Sequence, residues 1–260
     1  MARVSVEYKD HIAHVTLTLG DKMNALDAEM VKSIIAAGQE VAASDARAVV
    51  LTGEGKSFCA GLDLASFAAM AGMKVEDWLM GRTHGDTNDM QEVAMVWRRV
   101  PVPVIAAISG AAFGGGLQLA LGADIRIAAP DAKLSVMEMK WGIVPDMGGM
   151  VLLPRLLRSD VLRRLTYTAE VVTAEQALDW GLVTEVAADP LAAACALAGR
   201  IAGQSPSGIR AAKSLIEIAE AEDRAAVLLA ESEVQIGLIG KADQMGVIAA
   251  RMQGRKPVFK

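Results

Sequence analysis

Histidine, cysteine and the large aromatics are scarce in this chain of 260 residues, which carries three His, two Cys and 4% Phe, Trp and Tyr. Each shortage removes a class of chemistry. Cys59 and Cys195 lie far apart and form no CxxC pair, so neither a disulfide framework nor a zinc site is suggested, and both read as small core fillers. His11 and His14 fall in an N-terminal segment that reads as a hairpin, and His84 reads as a solvent-facing loop residue, which leaves metal chemistry few ligands. The net charge of −5 is mildly acidic and no run of Lys and Arg interleaves with aromatics, which argues against a nucleic-acid groove. Met1 to Lys9 has no apolar run before a small-residue cleavage site, so no secretory signal is expected and the default location is the cytoplasm. The apolar stretch Val102 to Ala123 is broken by glycines and ends in Asp124, so it reads as buried core and not as a membrane span.

What is present is a large apolar fraction, 53%, in short periodic pieces, enough to bury a substantial core. Val4 to Leu19 alternates apolar and polar residues around Lys9-Asp10, the pattern of two antiparallel strands. Asp27 can cap a helix in which Val31, Ile34, Ile35, Gly38 and Val41 recur at helical spacing. Ala48 to Leu51, Val104 to Ile108 and Ile125 to Ala128 read as buried strands, and Gly115 to Leu121 opens a helix hydrophobic all round. Ser66 to Asp89, with Gly72, Gly81 and Gly85, is expected to be a mobile lid or loop. Its Met70, Met73, Trp78 and Met80, with Met90, would line a greasy pocket or anchor that loop. From Ser159 the pattern turns helical, with a capping box at Thr173 to Gln176 and a helix start at Ser205-Pro206. A soft boundary near Asp189 divides a core, 1–189, from a helical region, 190–260.

Two glycine-bounded turns could carry chemistry. In Phe58-Cys-Ala-Gly-Leu-Asp-Leu64, Gly61 lets the chain turn sharply and aim the next N–H outward. In Gly110-Ala-Ala-Phe-Gly-Gly-Gly-Leu-Gln118, a strand runs into a helix whose first amides have no internal partner. Two such donors converging on one point would hold the negative charge that develops on a carbonyl oxygen. Tight packing and phosphate binding use similar turns, but there is no GxGxxG and the triple glycine lacks the GK[ST] of a P-loop.

The segments FCAGLDL, PVPVIAAISGAAFGGGLQLALGADIRIA, EMKWGIVPDMGG and TAEQALDWGLVTEV, with the ending RKPVF, resemble the crotonase family of enoyl-CoA hydratases and isomerases, in order and over nearly the whole chain. The resemblance implies an α/β fold, a crotonase-like spiral of ββα units with a helical C-terminal trimerisation region at 190–260. It implies a coenzyme A thioester as substrate, no metal and no further cofactor, and a homotrimer or homohexamer. It places the two oxyanion donors at the amides of Leu62 and Gly115, and contacts to the coenzyme A substrate at Lys22, Met23, Ala60, Asp63, Leu64 and Gln118.

The acids around that hole decide the reaction. Of the two glutamates that the resemblance to the hydratases implies, one matches Glu138 and the other falls at Gln118, whose amide cannot shuttle a proton at neutral pH. Asp146 instead matches an aspartate of the dienoyl-CoA isomerases, which also have the glutamate but a third acid where Gln118 stands. It matches an aspartate of 3-hydroxyisobutyryl-CoA hydrolases and the nucleophile of chlorobenzoyl-CoA dehalogenases too, but the latter's histidine would fall near Gln91 and their tryptophan at Glu138, which disfavours dehalogenation. The expected activity is double-bond isomerisation of an unsaturated acyl-CoA, with Glu138 as principal base or acid and Asp146 as its partner. An enoyl-CoA hydratase, a thioester hydrolase and a non-catalytic acyl-CoA binding protein are the alternatives. Read from the residues alone, Asp146 is more often a cap of the following helix than a catalyst, which the resemblance brings to even, while Glu138, set among apolar residues, favours catalysis over exposure at a strand edge. Asp124, Arg126 and Lys213 read as structural, and Gln118→Ala is expected to matter much less than a change at either acid.

Overall fold

The structure, a computed structural model, describes residues 3–63 and 74–259. Leu64, Met70 and Met73 lie outside these residues, as does the side chain of Trp78.

The alternating N-terminal segment forms β1 (Val4–Lys9) and β2 (Ile12–Leu17), antiparallel, with Asp10 and His11 turning at φ 51° and 62°. Asp27 caps α1 (Ala28–Ala42) by accepting from the N–H of Met30 at 2.8 Å, and the face Met30, Val31, Ile34, Ile35, Gly38 and Val41 is buried. Strands β3 (Ala48–Gly53), β4 (Val104–Ile108), β6 (Ile125–Ala128) and β9 (Glu185–Val186) extend the sheet in the order β1-β2-β3-β4-β6-β9, parallel from β2 onward. Both faces are covered, which is why these strands read as continuous apolar runs. Val49, Leu51 and Ala106 face the main core, while Ala48, Val50, Ile105 and Ile127 face Ala194, Ala198 and Ala202. Those three alanines belong to the helix Pro190–Ala202, so the first helix beyond Asp189 covers the sheet, capped by the Asp189 side chain.

A smaller sheet, β5-β7-β8, is built from β5 (Ala111–Phe113), β7 (Lys133–Ser135) and β8 (Val172–Thr173). After the first unit, whose β1 and β2 both join the large sheet, successive units give one strand to the large sheet and the next to the small one, β4 then β5, β6 then β7, before a helix: the ββα spiral. After β5 comes α4 (Gly115–Leu121), buried on every side as its composition predicts. Preceding it are two further helices, α2 (Val75–Met80) and α3 (Asp89–Arg99). Helix α2 corrects the expectation of a loop over Ser66 to Asp89 for residues 75–80, while 81–88 are loop as expected. The chain from Gly81 to α3 is tied down by side chains: Asn88 caps α3 and donates to Leu79 O at 2.9 Å, and Thr87 Oγ1 donates to buried Glu92 at 2.7 Å. His84 is half-buried, with Nε2 3.1 Å from Asp89 Oδ1, and is not the solvent-facing residue expected.

Beyond the small sheet come α5 (Gly149–Leu156), α6 (Ser159–Thr168) and α7 (Ala174–Asp179), the last opened by the Thr173 capping box; α8 is the sheet-covering helix Pro190–Ala202. Helices α9 (Pro206–Ala221), α10 (Arg224–Ile236) and α11 (Ala242–Met252) follow. Buried Lys213 on α9 fastens this group to the core, donating to Trp97 O at 3.2 Å, Val102 O at 3.1 Å and Asp124 Oδ2 at 2.7 Å. Arg126, buried, donates to Leu182 O and Ala123 O at 2.8 and 2.7 Å, so Asp124, Arg126 and Lys213 are structural as read. Lys213→Met keeps the apolar stem but takes the ammonium from the carbonyls of Trp97 and Val102 and from Asp124, which keeps the Val104 N–H, so it should cost about 2–4 kcal/mol. The urea midpoint should fall with the slope unchanged; a loss below about 1 kcal/mol would mean that α9 is held by its apolar contacts and the ion pairs of Glu217 and Glu220 instead.

Candidate active site

The site begins where backbone docks on backbone. Strand β3 hands the chain to residues 57–63, which run along β5: Phe58 N–H donates to Ser109 O at 2.8 Å, Cys59 N–H to Ala111 O at 3.0 Å, and Phe113 N–H to Cys59 O at 3.1 Å. A Cβ on Gly61, where φ is +91°, would lie 2.6 Å from Phe113 O, and one on Gly116 would lie 2.2 Å from Cys59 O. Only glycine permits that approach.

On its other edge the same segment pairs with residues 23–26. Ala60 N–H donates to Met23 O at 2.9 Å, Leu26 N–H to Gly61 O at 2.8 Å and Asp63 N–H to Leu26 O at 3.1 Å. Since Leu26 bonds residues 61 and 63, the N–H of Leu62 between them faces the opposite way, toward the turn into α4. A Cβ on Gly61 would also lie 3.6 Å from Gly115 N, which brings the two amides into one neighbourhood. Neither the Leu62 nor the Gly115 N–H has a hydrogen-bond acceptor among the described residues. Met23, Ala60 and Asp63 lie along this paired edge beside Leu62, and Lys22 precedes Met23 in the chain; Leu64 is outside the described residues.

A Cβ on Gly114 would lie 3.4 Å from Glu138 Oε1, so this acid stands beside the turn into α4. Glu138 opens a 3-10 turn (Glu138–Trp141) after β7 and is 6% exposed, so it does not sit at an exposed strand edge. Its Oε1 accepts from Gln118 Nε2 at 2.6 Å, while Oε2 has no hydrogen-bond partner among the described residues. Burial raises its pKa above the ordinary glutamate value; its own backbone N–H and the Gln118 amide pull the other way, and the charge of Asp146 adds to the rise. Gln118, on α4, is 2% exposed, and its Oε1 accepts from the N–H of Met147 and of Gly149, both at 2.9 Å. These two donors fix which end of the amide is oxygen. The structure therefore places the Gln118 side chain between Glu138 and the 147–149 turn, with no hydrogen bond to Lys22, Met23, Ala60 or Asp63 among the described residues.

Asp146 stands on that turn. Helix α5 begins at Gly149 with Gly148 as its N-cap and no side-chain cap, so Asp146 is not a helix cap. Crowding by protein atoms raises its pKa, but the residue is also exposed, and water that reaches a carboxyl solvates its charge and limits that rise.

A family model for "Enoyl-CoA hydratase/isomerase" matches residues 7–260. The chain belongs to the enoyl-CoA hydratase/isomerase family. It is similar to (E)-benzylidenesuccinyl-CoA hydratase of Thauera aromatica, 32% identical over 99% of this chain and 94% of that one. It is also similar to the mitochondrial Delta(3,5)-Delta(2,4)-dienoyl-CoA isomerase of Homo sapiens, 35% identical over 78% of this chain and 64% of that longer one. The solved enoyl-CoA hydratase of Bacillus anthracis superposes with a TM-score of 0.89 at 31% identity over 99% of both chains.

One residue that this family member uses to shape the site has no acid–base chemistry to reveal it. Asn24 is fully buried at φ 51°; its Oδ1 accepts from Leu19 N–H at 2.9 Å and its Nδ2 donates to Glu54 O and Ser57 O at 3.0 and 2.9 Å. Its carbonyl accepts from Cys59 Sγ at 3.0 Å, and burial pushes that thiol up to about 12. The sequence signal is slight: an Asn where the chain must visit the left-handed region. Asn24→Ala takes the partner from three backbone groups at the root of the 57–63 segment, the one at Ser57 buried, so it should lower stability by about 1–3 kcal/mol. Chemical denaturation checks this, and a variant as stable as the parent would show that the segment is held by its docking on β5 instead.

Proposed function

We propose that this protein moves a double bond in an unsaturated acyl-CoA, with Glu138 and Asp146 exchanging protons at two carbons of the acyl chain. The observation that carries this reading is that Gln118, a polar group that cannot exchange protons, holds Glu138 on one side and the Met147 amide next to Asp146 on the other. Glu138 Oε2, ionised, takes a proton from carbon. The electron pair left behind runs through the conjugated chain onto the thioester oxygen, where the N–H groups of Leu62 and Gly115 meet the charge. Asp146, protonated, gives its proton to the carbon at the other end as the pair returns, and solvent carries the proton from Glu138 back to Asp146. No atom is gained or lost. Lys22, Met23, Ala60, Asp63 and Leu64 would hold the coenzyme A part, Lys22 meeting its phosphate charge. The second reading is hydration, favoured by the near-complete coverage of the Thauera hydratase; there Glu138 would act on water and Asp146 would be a bystander.

Substitution separates the two. For migration, Glu138→Gln should lower kcat by about a thousandfold and Asp146→Asn by about a hundredfold. Glu138 must be ionised to accept a proton, so activity is present above its raised pKa and is lost as pH falls through it; that limb should lie above the ordinary glutamate value. Rapid addition of water to an enoyl-CoA that survives Asp146→Asn would overturn migration in favour of hydration.

We also propose that the chain works as a homotrimer or homohexamer. Leu228, Leu229, Ile236, Ile239 and Met245 on and around α10 and α11 are each about half or more exposed in the single chain, an apolar surface that association would cover. Light scattering at micromolar concentration should give three or six chains, and a monomer would contradict this.

A further inference from the structure

Gln118 makes contacts in two directions, and neither is toward the Lys22 to Asp63 edge. Its N–H side holds Glu138 Oε1 at 2.6 Å, and its oxygen takes the amides on both sides of Gly148, at Met147 and Gly149. A Cβ on Gly149 would lie 2.6 Å from Gln118 Oε1, so the turn is pressed against the amide with no room for slack. Glu138 is left with a single bare oxygen, and Asp146 is one residue from a bonded amide.

We propose that Gln118 is the positioning residue of the reaction: it fixes the 3-10 turn of Glu138 and the turn of Asp146 in one register and commits Glu138 to proton exchange through Oε2. The inference rests on the reading of Glu138 and Asp146 as the proton-exchanging pair. An acid in place of Gln118 could keep the acceptor half of these contacts, since a carboxylate oxygen can take both backbone amides. It could donate to Glu138 only while it carries a proton. A carboxamide donates at every pH and never competes for the proton in transit. The role therefore needs a residue that accepts on one side, donates on the other and does not titrate, and among side chains of this length glutamine meets all three conditions.

The charged groups around Glu138 are few. Asp146 is the neighbour whose charge acts on it. Helix α6 packs on the 3-10 turn, but its Asp160, Arg163 and Arg164 are exposed and engaged with Arg158, with Ser159 and Tyr167, and with Glu170. Arg155 of α5 pairs with Glu220, and α4 carries no titratable side chain. Loss of the Gln118 donor removes a bond to the ionised form of Glu138, so the acid limb of kcat should move to higher pH.

The test is the pH dependence of kcat and KM for double-bond migration in Gln118→Glu and Gln118→Ala, with Glu138→Gln as reference. Gln118→Glu keeps the volume and the acceptor half; its two adjacent carboxyls titrate as a pair, so a new limb should appear in the kcat profile as the shared proton is lost. Gln118→Ala should move the acid limb upward and lower kcat by about ten- to a hundredfold while KM changes less than about threefold. These contacts thus replace the small effect expected of Gln118→Ala from sequence alone. If Gln118→Ala does not fold, by circular dichroism, Gln118→Glu decides alone. Profiles that superimpose on the parent, with Glu138→Gln inactive, would refute the positioning role and leave the reaction standing. A Glu138→Gln variant that still migrates the double bond would instead refute the reaction itself.

Discussion

A carboxylate with one oxygen bonded and the other bare, inside a space that leaves Glu138 6% exposed, is the constraint on which the site turns. An unpaired buried carboxylate is costly, and a protein that only needed to fill this volume would place an apolar side chain there. The same cost favours the neutral form and brings the group toward the range in which it can both take and give a proton. Everything around it serves that state. Gln118 occupies one oxygen, the 3-10 turn after β7 sets the direction of the side chain, and the turn at 147–149 is bonded to the same amide.

The ββα spiral supplies the place for this group. Because β4 passes to β5 and then directly to α4, the first amide of a fully buried helix is delivered against residues 59–63. Docking there is through backbone, at glycines with no space for a Cβ, so the geometry cannot drift without breaking the pairing of Cys59 with Ala112 and of Leu26 with Leu62. Asn24 ties the outer edge. Electrostatic stabilisation of a developing oxyanion depends on donors that need no reorganisation when the charge appears, and a backbone cradle of this kind has little freedom to reorganise.

Much of this was legible from residues. The Asp27 cap, the Thr173 capping box and the all-round apolar α4 follow from local rules of capping and periodicity, and each is found where those rules place it. The two glycine turns could be recognised because a tight approach needs glycine at fixed positions. Other features depend on contacts between distant parts of the chain. Nothing local says that Gln118 reaches both Glu138 and the 147–149 turn, that Asp146 leaves the cap position to Gly148, or that Asn24 joins three stretches of chain. Helix α2 is hidden because glycines flank a six-residue stretch that shows too few turns for a periodic pattern, and α8 reads as part of the C-terminal region because its alanines carry no mark of the sheet face they cover.

On the proposed reading, migration and hydration would share the enolate, the amide donors and Glu138, and would differ in whether the second partner is a carboxyl or a water molecule. The most direct measurement is therefore made on the unaltered protein, by incubating it with saturated, enoyl and dienoyl acyl-CoA panels in deuterated water and following products by mass spectrometry. The account predicts an isomer that takes up deuterium at carbon and gains no water, with a dienoyl or enoyl substrate. A product heavier by the mass of water, formed rapidly from an enoyl-CoA while no isomer appears, would contradict it.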